Sequence, residues 1–219
     1  MARTSDLFAG ALEGLLSLVA PPRCAACDSS VPMLSVFCVP CATTVEPSAN
    51  AGKLEGAAVA AFVYGGAIAR AIVRFKYEHR PDLARPLGDL LWRALQRRNG
   101  LSDAVVVPVP LHPSRLADRG FNQSALLATR IARHLRRPVL PLALRRTRET
   151  RSQAALARDE RIANCAGAFR ARRPASLHGR SILLIDDVQT TGATLAACSR
   201  ALFDAGALRV TEAVIARAE

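Results

Sequence analysis

Two groups of side chains in this 219-residue sequence are spaced for chemistry. The first is Cys24-Ala-Ala-Cys27 with Cys38-Val-Pro-Cys41, two C-x2-C pairs separated by ten residues. Each pair turns tightly enough to aim both sulfurs at one point, and together they supply four thiolates in a tetrahedron. That is the ligand set of a structural zinc site, closed and with no open position for catalysis. A short Cys-rich segment with few core residues needs such a staple to fold. A rubredoxin-like iron site, a redox dithiol pair or two disulfides in an exported protein would use the same residue types; structural zinc is the expectation. Cys165 and Cys198 stand apart and read as small buried hydrophobes.

The second group follows an apolar run at Ser181–Ile185. It reads Asp186-Asp187-Val188-Gln189-Thr190-Thr191-Gly192-Ala193-Thr194. The run is expected to be a strand that ends at the two carboxylates, followed by a loop and then a helix. At the carboxyl end of a parallel strand, that order makes a ligand site. Backbone N–H groups of the loop and of the helix start suit a phosphate. Gly192 permits close backbone approach, Ala193 opens the helix, and Thr190, Thr191 and Thr194 add hydroxyls. Asp186 and Asp187 can accept from vicinal sugar hydroxyls, so one feature would hold a ribose 5-phosphate by both ends. An ordinary strand-to-helix turn with an acidic N-cap would explain the Asp pair. It would not require the whole order.

These groups need elements to position them. Composition shifts near residue 50, which divides the chain into residues 1–50, an N-terminal helix and zinc ribbon, and residues 51–219, an α/β domain. The two are expected to have separate cores. Val59–Tyr64 reads as a strand and Ala67–Tyr77 as a helix. Asp82–Arg98 places Leu83, Leu87, Leu90, Leu91 and Leu95 on one helical face. Ala104–Val107 is a buried strand stopped by Pro108 and Pro110. Asn122–Arg137 is a helix, Val139–Leu144 a short apolar run, and a further helix should run from Gly192 to a cap at Gly206. Arg209–Ala216 reads as a last strand. Strands alternating with helices imply a parallel sheet covered on both faces. Leu144–Asn164 is too charged for core and reads as a basic flap or a solvated helix.

Composition narrows the classes. Apolar residues make up 50% and charged residues 22%, which excludes wholesale disorder. The net charge is +12, favouring anionic partners, although nearly all of it is Arg and codon bias would produce the same surplus. Arg3 and the apolar stretch to Ala20 faintly resemble a signal peptide, but Asp6 and Glu13 interrupt it. No apolar run reaches the ~18–20 residues of a membrane-spanning helix, and a cytoplasmic protein is expected. The histidines at 79, 112, 134 and 178 have no metal or nucleophile spacing; His112, beside Pro108–Pro110, is the one of interest.

The Asp186–Thr194 segment resembles the signature of type I phosphoribosyltransferases, which bind 5-phosphoribosyl 1-diphosphate (PRPP). Phe75-Lys76-Tyr77, Val107-Pro108-Val109-Pro110, Arg119-Gly120-Phe121-Asn122-Gln123, Gln153, Glu160-Arg161, Asn164, Ala168-Phe169 and the four cysteines resemble the ComF family of competence-associated proteins. The resemblance spans almost the whole chain. It implies a Rossmann-like parallel α/β sheet of the type I phosphoribosyltransferase kind, preceded by a small four-cysteine zinc ribbon. It further implies Asp186 and Asp187 at the ribose, and Thr190, Thr191, Gly192, Ala193 and Thr194 at the 5-phosphate. Arg115 and Arg119 would meet the diphosphate, with Val107–His112 as the pyrophosphate loop. Lys76 and the arginines at 145, 146, 148 and 151 would belong to a hood. Mg2+ would accompany PRPP, and partners would include single-stranded DNA and DNA-uptake proteins. Displacement of diphosphate from PRPP is the expected reaction, with no residue marked as reader of the acceptor. A DNA-handling protein that kept the fold without the chemistry, or a PRPP or nucleotide sensor, would fit the same residues, although few aromatics offer stacking platforms for bases.

Overall fold

The computed structural model describes residues 22–49, 58–148, 167–172 and 176–218. In chain order the elements are α1 (Val39–Ala42), β1 (Val59–Val63), α2 (Gly66–Tyr77), a 3-10 turn (Pro81–Leu83) leading into α3 (Ala84–Leu95), β2 (Val105–Pro108), α4 (Pro113–Arg119), α5 (Gln123–Leu135), β3 (Leu144–Arg146), β4 (Phe169–Ala171), β5 (Ser181–Gln189), α6 (Ala193–Asp204) and β6 (Arg209–Arg217). Four strands form a parallel sheet in the order β1-β6-β5-β2. β3 and β4 make a separate antiparallel pair. The N-terminal helix expected before residue 21, the stretch around residue 50, Cys165 and most of the basic segment after Arg148 lie outside the described residues.

The pleat of β5 explains the two layers. Successive side chains point to opposite faces, so Leu183 and Ile185 pack against Phe75 of α2, Leu91 of α3 and Leu127 and Ile131 of α5. Ile182 and Leu184 pack on the other face with Leu195, Cys198 and Leu202 of α6, and with Leu144 and Phe169 of the antiparallel pair. A strand covered on both sides must read as an unbroken apolar run. Each fully buried Leu, Ile or Phe contributes about 1.5–3 kcal/mol.

Three expectations need correction. β5 does not stop before the acidic pair; it runs through Asp186 and Asp187 to Gln189, because β6 keeps pairing as far as Gln189 with Arg217. Leu144–Arg146 is not surplus charged surface, since Leu144 and Arg146 are buried in a strand. Finally, the cysteine module and the α/β domain do not have separate cores. Ala25 belongs to the cluster that contains Phe75 and Leu87, with Val36, Phe37 and Val45 packed against it, and Ala67 of α2 lies among Cys24, Val31 and Cys41.

Polar contacts reinforce that junction. Buried Arg74 donates to the carbonyls of Cys24 and Ala25, both at 3.3 Å, and pairs with Asp28 at 2.6 Å. Arg80 reaches the same carboxylate at 3.0 Å, and these two arginines hold Asp28 below the usual carboxylate range. The Thr44 hydroxyl accepts from the Ala67 N–H at 2.9 Å, capping the first turn of α2. Gly66 is left-handed at φ 49°, and a Cβ there would collide with the Thr44 carbonyl oxygen.

Candidate functional site

The four cysteine sulfurs all lie within 4.8 Å of one another, and the thiols are free. The Cys24 carbonyl accepts from the Asp28 N–H at 3.0 Å, closing the first knuckle around Asp28 in a left-handed conformation. In the second, Cys38 is the N-cap of α1, so one short helical turn brings Cys41 back beside it. Arg70 of α2 donates to Cys41 at 3.6 Å. Hydrogen bonds from Ser29 lower the Cys27 thiol to about 6, while burial pushes Cys41 up to about 12. Four converging sulfurs are a donor set that can hold one metal ion.

A second set of chemistry-bearing residues gathers at the carboxyl end of the sheet. The C-terminal part of β5, the loop after β2, the end of α2, α4 and the start of α5 enclose a cavity of about 310 Å³. Asp186, Asp187, Thr190 and Thr194 line it from β5 and its loop, Lys76 and Tyr77 from α2, Arg115 and Arg119 from α4, and Gln123 and Ser124 from α5. Local sequence explains the convergence. Pro108 and Pro110 end β2, and Pro113 opens α4 behind its His112 cap, whose Nδ1 accepts from the Ser114 N–H at 3.3 Å. Asn122 caps α5 by accepting from the Ser124 N–H at 3.0 Å and donates to the Val109 carbonyl at 3.0 Å. That pair of bonds ties the start of α5 to the loop after β2.

The two carboxylates are held differently. Asp187 is buried, with one oxygen 2.8 Å from the Lys76 ammonium; its other oxygen has no hydrogen-bond partner among the described residues. Asp186 accepts from the Ser124 hydroxyl at 2.8 Å and from the Asp187 N–H at 2.9 Å. Burial and then the neighbouring Asp187 charge push Asp186 up to about 7, against the pull of Lys76. Burial works against the charge on Lys76, but Asp187 and Asp186 more than offset it and raise its pKa. Gln123 Oε1 is a second buried acceptor without a partner among the described residues. Unfilled buried acceptors cost stability, and both residues belong to the wall of the cavity.

Beyond the carboxylates, Thr190, Gly192, Ala193 and Thr194 border a recess of about 20 Å³ at the start of α6. Gly192 is the left-handed N-cap at φ 78°, and a Cβ there would lie 2.9 Å from Gln189 Nε2. The first N–H groups of α6 therefore open on a narrow, hydroxyl-flanked hollow. Thr191 is turned elsewhere. It lines a larger cavity of about 630 Å³ on the far side of the loop, and its hydroxyl is 3.4 Å from the Ala193 N–H. That larger space is walled mainly by α6, with Arg200, Asp204 and Glu212 among its charged lining, and it does not include Asp186, Asp187 or Lys76.

Of the residues singled out by sequence, the structure brings together Lys76, Arg115, Arg119, Asp186, Asp187, Thr190 and Thr194, with Gly192 and Ala193 bordering the recess. Arg146 joins them as a wall of the cavity, whereas Arg145 and Arg148 are exposed and do not line it. Arg151 lies outside the described residues. Ser124, Gln123 and Tyr64 also line the cavity without having been singled out; only the segment ending Asn122-Gln123 pointed there. Among the described residues, no helix is long and apolar enough to cross a membrane.

No family model matches the chain. Two solved structures superpose in part: TT1426 from Thermus thermophilus, at 22% identity and TM-score 0.38 over 60% of this chain and 72% of that one, and the B. subtilis glutamine phosphoribosylpyrophosphate amidotransferase, at 20% identity and TM-score 0.43 over 65% and 30%. Sequence relatives reach further. The DNA utilization protein YhgH of Escherichia coli is 35% identical over 67% of this chain and 66% of its own length. Competence protein ComFC of Bacillus subtilis is 37% identical over 47% and 39%. Competence protein F of Haemophilus influenzae is 31% identical over 90% of this chain and 85% of its own length. With that span taking in both the cysteine module and the cavity at the sheet's carboxyl end, the chain belongs to the competence protein F family.

Proposed function

We propose that the cavity at the carboxyl end of β5 binds PRPP, and that the chain is a phosphoribosyltransferase-like member of its family acting in the handling of transforming DNA. The observation that carries this reading is the meeting of an acidic pair, a cluster of cations and a hydroxyl-flanked helix start in one cavity. Asp186 and Asp187 would accept from the ribose hydroxyls. Thr190, Thr194 and the start of α6 would take the 5-phosphate; Lys76, Arg115 and Arg119 would face the diphosphate.

The reaction such a site favours is displacement at the anomeric carbon. A lone pair of the acceptor forms the new bond, while the bond to diphosphate breaks with its electron pair leaving on oxygen. Positive charge develops on the ribosyl ring, and the Asp pair stabilises it and fixes the ring's hydroxyls. The arginines offset the charge that accumulates on the leaving group. Two carboxylates beside a phosphorylated ligand fit Mg2+, which takes one or two protein carboxylates and completes its shell with ligand oxygens. Held by Asp186 and Asp187, the ion would supply charge neutralisation at the diphosphate. Zinc fits the four cysteine thiols and would serve there as a structural ion.

Calorimetric titration with Mg-PRPP tests the proposal. Wild type should bind, and Asp186→Asn with Asp187→Asn should lose at least tenfold in affinity, since each charged acceptor is worth about 1.5–3 kcal/mol. Thr194→Val should weaken PRPP and ribose 5-phosphate alike. Absence of any heat or melting shift at millimolar Mg-PRPP would sink the transferase reading. A non-catalytic protein that binds single-stranded DNA through the same basic rim is the second reading, favoured by the +12 charge and by relatives named for DNA utilization.

A further inference from the structure

Ser124, in the first turn of α5, is 1% exposed, so its hydroxyl must find a partner inside the protein. Within a helix a serine commonly turns back to the carbonyl four residues earlier. Here that residue is Gly120, the left-handed cap of α4, and no earlier turn of α5 exists. The hydroxyl donates to Asp186 Oδ1 at 2.8 Å, and that bond closes a circuit. The Ile185 carbonyl accepts from the Val109 N–H at 2.9 Å, and the Val109 carbonyl accepts from the Asn122 amide at 3.0 Å. The Asn122 side chain accepts in turn from the Ser124 N–H at 3.0 Å, and Ser124 returns to Asp186, the neighbour of Ile185. β5, the loop after β2 and the start of α5 are thereby fastened together around one carboxylate.

We propose that Ser124 is a positioning residue: its hydroxyl fixes the Asp186 carboxylate in the orientation that receives a ribose hydroxyl, so that α5 sets the sugar-recognising half of the site. The inference rests on the phosphoribosyl reading of this cavity, whose wall includes both residues. The two acids have unlike partners. Asp187 pairs with the Lys76 ammonium at 2.8 Å, so its charge is answered within the protein. Asp186 accepts from the Ser124 hydroxyl and the Asp187 N–H, neutral donors that hold it in place without a cation of its own. The positive end of the 13-residue α5 favours a carboxylate at that spot. Without the hydroxyl, Asp186 would lose its tie to α5 and could turn on the cavity side. A serine with a purely structural role would weaken every ligand of the cavity alike, whereas a positioning residue acts only on ligands that use Asp186.

Ribose 5-phosphate and inorganic phosphate separate the two roles, since the second carries no sugar hydroxyls. Titrated into the full chain and followed by NMR, Ser124→Ala should weaken ribose 5-phosphate about tenfold, the order expected for one bond to a charged group. Inorganic phosphate should bind it as it binds wild type. Ser124→Cys, close in size and only a weak donor, should show the same loss, so the test does not depend on the smaller variant folding. In an Asp186→Asn background Ser124→Ala should add little, because the group it positions is gone. Equal losses for the two ligands, a full loss on top of Asp186→Asn, or wild-type affinity in the Ser124 variants would each overturn the positioning role alone. Failure of wild type to bind ribose 5-phosphate and PRPP overturns the phosphoribosyl reading and this inference together, a separate outcome because the sugar phosphate then gives no signal at all.

Discussion

The Lys76 ammonium lies 2.8 Å from the Asp187 carboxylate, and both side chains are largely removed from water. This ion pair joins the last turn of α2 to the strand at the middle of the sheet. The opposite end of α2 is held by the cysteine module through Thr44 and Arg70, and Arg74, in the same last turn as Lys76, reaches the module as well. One helix therefore spans the distance between the candidate metal centre and the candidate ligand site.

Removing one member of a buried ion pair leaves the other charge uncompensated, which costs about 3–5 kcal/mol. Lys76→Met should accordingly lower stability by about 3 kcal/mol in denaturant titrations. Lys76→Met combined with Asp187→Asn should recover much of that loss, since no orphaned charge remains. Strictly additive losses in the two single variants and the double would show that the pair is uncoupled.

The pH dependence follows from Asp186, whose folded pKa is raised to about 7. An acid raised on folding holds its proton in the native state where the unfolded chain has already lost it. Between the ordinary carboxyl value of about 4 and the folded value of about 7, stability therefore falls as pH rises, and above that window this contribution is constant. Ligand binding runs the other way. Affinity for Mg-PRPP should strengthen as pH rises through about 7, and Asp186→Asn should flatten that rise. A wild-type profile that is level from about pH 6 to 8 would contradict the assignment of Asp186 as the ionised acceptor.

Because the cysteine module shares its core with α2, metal loss is expected to reach beyond residues 22–49. Chelation, or Cys24→Ser, should lower the melting temperature of the whole chain in one transition rather than melt a small module separately. Gly66→Ala, which forces a left-handed alanine against the Thr44 carbonyl, should destabilise by about 1–3 kcal/mol. Two resolved transitions by calorimetry would argue that the parts fold independently.

Affinity for single-stranded DNA, if it comes from phosphate contacts, should fall with salt at a log–log slope near about −0.7 per contact. Arg145 and Arg148 are exposed, so replacing them with Ser tests whether this edge is a binding track. A loss no greater than that from Arg93→Ser with Arg97→Ser would assign the binding to net charge alone.

The sheet was legible because a strand buried on both faces must be apolar throughout, and Ile182–Ile185 shows that directly. Its true end was not. Hydropathy records where burial stops, whereas a strand ends where its partner stops pairing, and β6 is fixed only by the tertiary register of Gln189 with Arg217. The acidic pair, the hydroxyl loop and Gly192 were readable as a local run. Ser124 was not, since a serine in the first turn of a helix carries no sign that it will meet Asp186 sixty-two residues later. Arg74 looks like any solvated arginine in an amphipathic helix until Cys24, Ala25 and Asp28 close over it from far earlier in the chain.

The position of β6 between β1 and β5 sets a timetable for the growing polypeptide. β1 is made early, yet its neighbour in the sheet is the final strand. At roughly 5–20 residues per second, β1 waits several seconds with an unpaired edge, the state in which nascent strands find wrong partners. The segment just after the cysteine module is available to its other edge from the outset. The Glu46 carbonyl accepts from the Val63 N–H at 2.9 Å, and the Ser48 N–H donates to the Ala61 carbonyl at 3.1 Å. Residues 46–48 thus cover the second edge of β1 with a segment synthesised before it, the one neighbour of that strand that needs no later part of the chain.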